Sequence, residues 1–134
     1  MPLRRDLPLT TDCSGFVTLC YFLAGAPDPN GLGYIGQGYT GTLLRHLPHI
    51  GPAAAQRGDV VVWGRYPGRH CAVLLEPGED PLLVSHGSER GPLEIRFSTE
   101  QHVHHGEPAT WLDGLPLKDL ADLTPAPAPG VAAE

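Results

Sequence analysis

Apolar residues recur along this chain with two different spacings. Residues 16–23 are apolar at all but one position and follow Asp12, a residue type favoured just before a helix. The pattern predicts a helix that begins at Cys13. Its buried stripe is expected to consist of Phe16, Leu19, Cys20 and Leu23. Further short helices are predicted over residues 42–47 and 116–123.

Short apolar runs elsewhere predict the strands of a sheet. They have the length of strands and are bounded by turn residues. These runs span residues 60–63, 70–76, 82–86, 93–97 and 109–112. Residues 77–81 contain two prolines and a glycine and join the second run to the third, so these two runs are predicted to form a hairpin.

The hairpin places two histidines together. With its centre at Gly78, His70 and His86 are each eight positions away and directly oppose one another. Opposed residues point to the same side of a sheet, with Cβ atoms about 5 Å apart. The helix that begins at Cys13 is expected to pack on this same side, against the apolar residues Ala72, Leu74, Leu82 and Val84.

The position of Cys13 favours a reactive thiol. The first backbone N–H groups and the dipole of a helix stabilise negative charge, so a cysteine there ionises more readily than a free one. A thiolate, an imidazole base and a group that orients the imidazole together perform acyl transfer. We assign Cys13 as nucleophile, His70 as general base and acid, and His86 as the orienting group. Asp12 and Ser14 flank the thiol and are candidates for substrate binding.

These residues carry a resemblance to a known family. Residues 12–17 read Asp-Cys-Ser-Gly-Phe-Val, residues 58–61 read Gly-Asp-Val-Val, and His70 and His86 open and close the hairpin. The pattern resembles that of the NlpC-type cysteine peptidases, papain-like enzymes that cut the peptide stems of bacterial cell walls. The resemblance extends over residues 9–97 and implies the same three roles for Cys13, His70 and His86.

The resemblance also sets the expected architecture. It implies an α+β, papain-like domain over residues 1–123, in which the N-terminal nucleophile helix packs on an antiparallel sheet of four to six strands. Residues 124–134 are rich in Pro and Ala and are interpreted as a linker or tail. Such a linker is expected to lead to a further lytic or wall-binding domain.

Two positions depart from the family pattern and leave alternatives open. The family has a tyrosine upstream of the nucleophile, but none of the twelve residues before Cys13 is aromatic. Cys71 follows His70, where an aliphatic residue is common. A non-catalytic peptidoglycan-binding module of the same fold is therefore one alternative. An amidase that cuts between sugar and peptide, or an acyltransferase, would use the same trio.

Charge and composition bear on partners and location. The net charge of −6 disfavours binding to nucleic acid or to an anionic membrane surface. No apolar run approaches the ~20 residues that span a bilayer, and residues 1–8 lack the apolar middle of a signal peptide. The resemblance, rather than the charge, implies peptidoglycan stem peptides as the partner. The expected setting is cytoplasmic synthesis and action at the cell wall, as a phage endolysin or a virion-associated hydrolase.

No cofactor or metal is expected. The three cysteines lack the spacing of a structural zinc site, and Cys20 and Cys71 are interpreted as core residues. His102 and His104 are interpreted as part of an exposed polar turn. The Gly-rich residues 31–41 include G-x-G-x-x-G but follow no strand, which is untypical of a dinucleotide site. They are interpreted as a substrate lip or a surface connection.

Overall fold

The computed structural model describes residues 12–35, 38–86 and 92–114. Three α-helices lie within them: α1 (Cys13–Leu23), α2 (Thr40–His46) and α3 (Phe97–Val103). Six strands accompany the helices: β1 (His49–Ile50), β2 (Val60–Trp63), β3 (His70–Glu76), β4 (Leu82–Ser85), β5 (Leu93–Arg96) and β6 (Ala109–Leu112). The helix predicted over 116–123 and the linker over 124–134 lie outside the described residues. None of the helices described is long and apolar enough to cross a membrane.

The strands form one antiparallel sheet in the order β1-β6-β2-β3-β4-β5. Three helices with an antiparallel sheet make an α+β architecture, and six strands agree with the predicted range. Some boundaries differ from the prediction: α2 begins at Thr40 rather than Thr42 and ends at His46, and β4 ends at Ser85 rather than His86. Phe97 begins α3 instead of ending β5, because Asp80 accepts hydrogen bonds from the N–H and hydroxyl of Ser98 in the first turn of that helix.

Each face of the sheet has its own apolar cluster, as the alternation of side chains along a strand requires. The first cluster joins α1 and α2 to the sheet and contains Val17, Tyr21, Ala26, Leu43, Leu44, Leu47, Val60, Val62, Cys71 and Leu112. The second cluster lies on the other face, with Phe97 of α3 packed against it, and contains Ala55, Val61, Trp63, Ala72, Leu74, Leu83 and Trp111.

Helix α1 begins where the sequence predicts, but it buries a different stripe. The carboxylate of Asp12 accepts a hydrogen bond of 2.8 Å from the N–H of Gly15 and so caps the helix. The buried residues are Ser14, Phe16, Val17 and Tyr21, whereas Leu23 is 49 % exposed. The predicted stripe is therefore wrong except for Phe16. Apolar residues surround most of this helix, so periodicity alone did not determine which side would pack.

The hairpin between β3 and β4 also has a different register from the prediction. Ala72 pairs with Ser85 and Leu74 with Leu83, one position away from the predicted pairing, and an irregularity between Leu74 and Glu76 interrupts the ladder. A shift of one residue moves side chains to the opposite face of a sheet. The predicted opposition of the two histidines is therefore wrong, and α1 packs on the face opposite Ala72.

Candidate functional site

The thiol of Cys13 lies at the first residue of α1, against β3. It packs beside the cluster that contains Cys71. Hydrogen bonding with the Cys71 thiol is the main reason why the pKa of Cys13 falls to about 4; burial opposes the shift, and the hydrogen bond and charge of His70 support it. A thiol with such a pKa is a thiolate at neutral pH, which is the nucleophilic form.

His70 connects this thiol to a buried carboxylate. The histidine opens β3 opposite Trp63 of β2, and the two rings stack with centroids 5.5 Å apart. Its Nε2 lies 2.8 Å from Oε2 of Glu100 and 2.8 Å from Oγ of Ser85. Because a carboxylate only accepts hydrogen bonds, Nε2 carries a proton and donates it to Glu100. The other ring nitrogen, Nδ1, takes no part in these two contacts.

The charges on either side of His70 favour its protonated form. Burial alone would lower the pKa of this histidine. The hydrogen bond and charge of Cys13, together with those of Glu100, outweigh burial and raise the pKa. The arrangement therefore supports a pair of a Cys13 thiolate and a His70 imidazolium. His70 is only 6 % exposed.

Sequence reasoning missed Glu100. It lies on α3, is 2 % exposed and accepts a 2.8 Å hydrogen bond from the hydroxyl of Ser85 as well as the bond from His70. The available signal was its i, i+4 spacing to His104, whose Nε2 lies 3.9 Å from the same carboxylate oxygen. The sequence predicts a strand over residues 93–97 and a turn over 102–105, with no helix between them in which this spacing would bring the two side chains together.

His86 occupies a separate position. Its ring stacks on Phe16 of α1 with centroids 5.8 Å apart, and it is 4 % exposed. Among the described residues, its Nδ1 has no hydrogen-bond partner. The sequence predicts that His86 orients His70 by a hydrogen bond. In the structure, Ser85 and Glu100 contact Nε2 of His70 instead, and the register of the hairpin is shifted from the predicted one.

The other two cysteines differ in their relation to the site. Cys71 is fully buried, as predicted, but its thiol touches Cys13, and burial with this contact raises its pKa well above the usual value. It therefore keeps its proton and donates it. Cys20 is half-buried, and burial raises its pKa to about 11. Cys13 is thus the one described cysteine with a lowered pKa.

The structure gives Asp12 and Ser14 a part in helix capping. The exposed Asp12 carboxylate accepts the N–H of Gly15, and the hydroxyl of Ser14 lies 3.3 Å from the same carboxylate oxygen. This cap holds the start of α1, and hence Cys13, in place. Substrate binding by the two side chains remains a prediction.

The loop that follows α1 is fixed by one buried carboxylate. Asp28 accepts hydrogen bonds of 2.9 to 3.0 Å from the N–H groups of Asn30, Leu32 and Tyr34 and from the side-chain amide of Asn30. Asn30 in turn donates to Thr18 of α1. This part of the Gly-rich segment is therefore attached to the nucleophile helix.

Exposed tyrosines connect the Gly-rich segment to the loop before His70. The hydroxyls of Tyr39 and Tyr66 lie 3.1 Å apart, and the guanidinium of Arg45 lies over the Tyr66 ring at 5.6 Å. Thr40 donates a hydrogen bond to the carbonyl of Pro67 in the same loop. The contacts join the Gly-rich segment to the loop that precedes His70, and a substrate lip remains a prediction.

His102 and His104 do not form the predicted exposed turn. His102 is an exposed residue of α3, and His104 caps the C-terminal end of that helix and is half-buried. The rings of His104 and His70 stack with centroids 4.5 Å apart. Ligand atoms of His70, Glu100 and His104 all lie within 4.8 Å of one another, the one such group of metal-ligating side chains in the described ranges.

Comparisons with known proteins give no family assignment. A scan against protein-family models finds no matching model, and a search of curated proteins finds no match.

Proposed function

We propose that this chain is a cysteine peptidase that hydrolyses peptide bonds in bacterial peptidoglycan. In this proposal Cys13 is the nucleophile, His70 the general base and acid, and Glu100 the group that orients His70. The observation that carries it is the buried His70 ring, held between the Cys13 thiol and the Glu100 carboxylate. Cys71, through its hydrogen bond to the sulfur, helps to keep Cys13 ionised.

The geometry supports acyl transfer in two stages. The Cys13 thiolate attacks the carbonyl carbon of the scissile amide, and a carbon–sulfur bond forms. His70 gives its Nδ1 proton to the leaving amine as the carbon–nitrogen bond breaks. It then takes a proton from water, whose oxygen attacks the thioester; the carbon–sulfur bond breaks, the acid is released, and Cys13 leaves as the thiolate beside protonated His70, as at the start. Throughout, Glu100 keeps the Nε2 proton of His70 in place.

The substrate class comes from the resemblance of residues 12–17 and 58–61 to NlpC-type peptidases, which also implies the papain-like fold. The described elements are compatible with it, because a helix that starts at a cysteine packs on an antiparallel sheet whose third strand starts at a histidine. On this basis the peptide stems of peptidoglycan are the proposed substrate, and a phage endolysin or a virion-associated hydrolase is the proposed setting.

Digestion of purified bacterial cell walls tests the proposal. We expect the wild type to clear a wall suspension and to release soluble peptides, and Cys13→Ser to release none. Cys20→Ser is the matched control, since it alters a cysteine of the same helix away from His70, and it should retain full activity. Equal clearing by wild type and Cys13→Ser, or none by either, would overturn the proposal.

Mass spectrometry of the released fragments identifies the bond. New amino termini within the stem peptides are expected for a peptidase. Free intact stems would instead indicate an amidase that cuts between sugar and peptide, and fragments joined to an added amine would indicate acyl transfer. Binding to walls without any release would indicate a non-catalytic module.

A further inference from the structure

We propose that His70, Glu100 and His104 form a binding site for Zn²⁺, and that occupation of this site switches off the thiol centre. The three ligand atoms are Nε2 of each histidine and Oε2 of Glu100. Nε2 of His70 lies 2.8 Å from this oxygen and Nε2 of His104 lies 3.9 Å from it. Two imidazoles and a carboxylate form a ligand set typical of zinc with an open fourth position.

The three ligand atoms all lie within 4.8 Å of one another and must converge on the ion. Zinc bonds nitrogen and carboxylate oxygen at about 2.0 to 2.2 Å, so tetrahedral ligand atoms lie roughly 3.4 Å apart. His70 and Glu100 are slightly closer than this, and His104 is slightly further away. His104 lies at the C-terminal end of α3 and is half-buried, so the adjustment falls on its side chain rather than on the buried His70 and Glu100.

The surroundings favour a bound cation. Glu100 is nearly fully buried and brings a negative charge into the site. The indole of Trp63 stacks on both imidazole rings, at 5.5 Å from each, and restricts their orientation. The hydroxyl of Ser85 lies 2.8 Å from Oε2 of Glu100 and can orient that carboxylate from outside the metal shell.

The inference goes beyond the proposed function, because it makes zinc an inhibitor of the proposed peptidase activity. Zinc on Nε2 of His70 replaces the proton that this nitrogen donates to Glu100, and that proton is released to solvent. His70 then can no longer gain and lose a proton as the peptidase requires. Zinc should therefore inhibit wall hydrolysis reversibly, and EDTA should restore it.

Calorimetric titration with ZnCl₂ tests the site without any substrate. The protein is reduced, stripped with EDTA and dialysed before zinc is added. We expect one zinc ion per chain in the wild type and an affinity at least about tenfold lower in His104→Gln, since one ligand is lost. His102→Gln is the matched control on the same helix and should bind as the wild type does. Equal zinc affinity in His104→Gln and wild type would overturn the proposal.

Cobalt distinguishes this site from the neighbouring thiols. Co²⁺ bound by His70, Glu100 and His104 should give only the visible bands of a nitrogen and oxygen site. An intense sulfur-to-cobalt charge-transfer band in the ultraviolet, lost in Cys13→Ser, would place the metal on Cys13 and Cys71 and overturn the proposal.

Failure of this inference is distinguishable from failure of the proposed function. A protein that binds zinc through His104 but releases nothing from cell walls contradicts only the peptidase proposal. A protein that digests walls but binds zinc equally with and without His104 contradicts only the metal site.

Discussion

At the scale of single residues, the carboxylate of Glu100 determines which nitrogen of His70 carries a proton. Glu100→Gln should therefore lower kcat for release of wall peptides about 10²-fold or more, because an amide neither holds the imidazolium charge nor fixes the tautomer. Glu94→Gln, which changes an exposed glutamate on β5, is the matched control and should leave kcat unchanged. Thermal unfolding of each variant verifies that it is folded.

Comparing the activity of His86→Gln with that of Glu100→Gln shows whether this prediction is wrong. His86 stacks on Phe16 rather than bonding to Nε2 of His70, so His86→Gln should retain most of the activity. If His86→Gln is inactive while Glu100→Gln is fully active, the roles assigned here are reversed.

Cys71 is a second residue whose effect can be isolated. Its thiol donates to the Cys13 sulfur, so Cys71→Ala should raise the pKa of Cys13 and slow its alkylation at pH 5 roughly tenfold. Cys71→Ser keeps a donor and should remain closer to the wild type. Peptide mass spectrometry after a timed reaction with iodoacetamide measures the rate. An unchanged rate in Cys71→Ala would show that the contact does not affect Cys13.

At the scale of elements, the loop after α1 depends on Asp28. Four donors surround this carboxylate, and Asp28→Ala would leave them without an acceptor. We expect the free energy of unfolding in urea to fall by about 2–4 kcal/mol at neutral pH. Asp28→Asn keeps one acceptor oxygen and should lose less, and Asp80→Ala at the surface should lose less still.

The pH dependence of this effect follows from the pKa of Asp28. Burial would raise the pKa, but hydrogen bonds from Asn30, Tyr34 and Leu32 outweigh burial and lower it. A carboxyl whose pKa is lower in the folded state stabilises the protein above its unfolded pKa, and this stabilisation is lost as the pH falls through the folded value. The difference between wild type and Asp28→Ala should therefore shrink in acid. A difference that grows below pH 4 would contradict the account.

The elements themselves were largely predictable from the sequence, but their register was not. Apolar runs between turns located β2, β3, β4 and β6 closely, because a strand leaves its period of two in the sequence. The turn and the irregularity between Leu74 and Glu76 leave no such mark, and the register that results puts Ser85 rather than His86 on the face of His70. Glu100 could not be located either, since only tertiary packing brings α3 to His70.

At the scale of the whole molecule, the site joins the two faces of the sheet. Cys13 is the first residue of α1, which packs on the cluster containing Val17 and Val60. Glu100 lies on α3, and the first residue of this helix, Phe97, packs on the cluster containing Trp63. His70 contacts both from the start of β3. The reactivity of Cys13 is therefore expected only in the folded chain.

The rate at which iodoacetamide modifies Cys13, measured against pH in EDTA, tests the central claim most directly. Alkylation requires the thiolate, and the pKa of Cys13 is lowered to about 4, so the rate should reach its plateau by about pH 6. Cys20, with its pKa raised to about 11, should react only in alkali. In 8 M urea, about the concentration that unfolds small domains, both should titrate together near the ordinary value. A native Cys13 that titrates near pH 9, as an ordinary thiol does, would contradict the account.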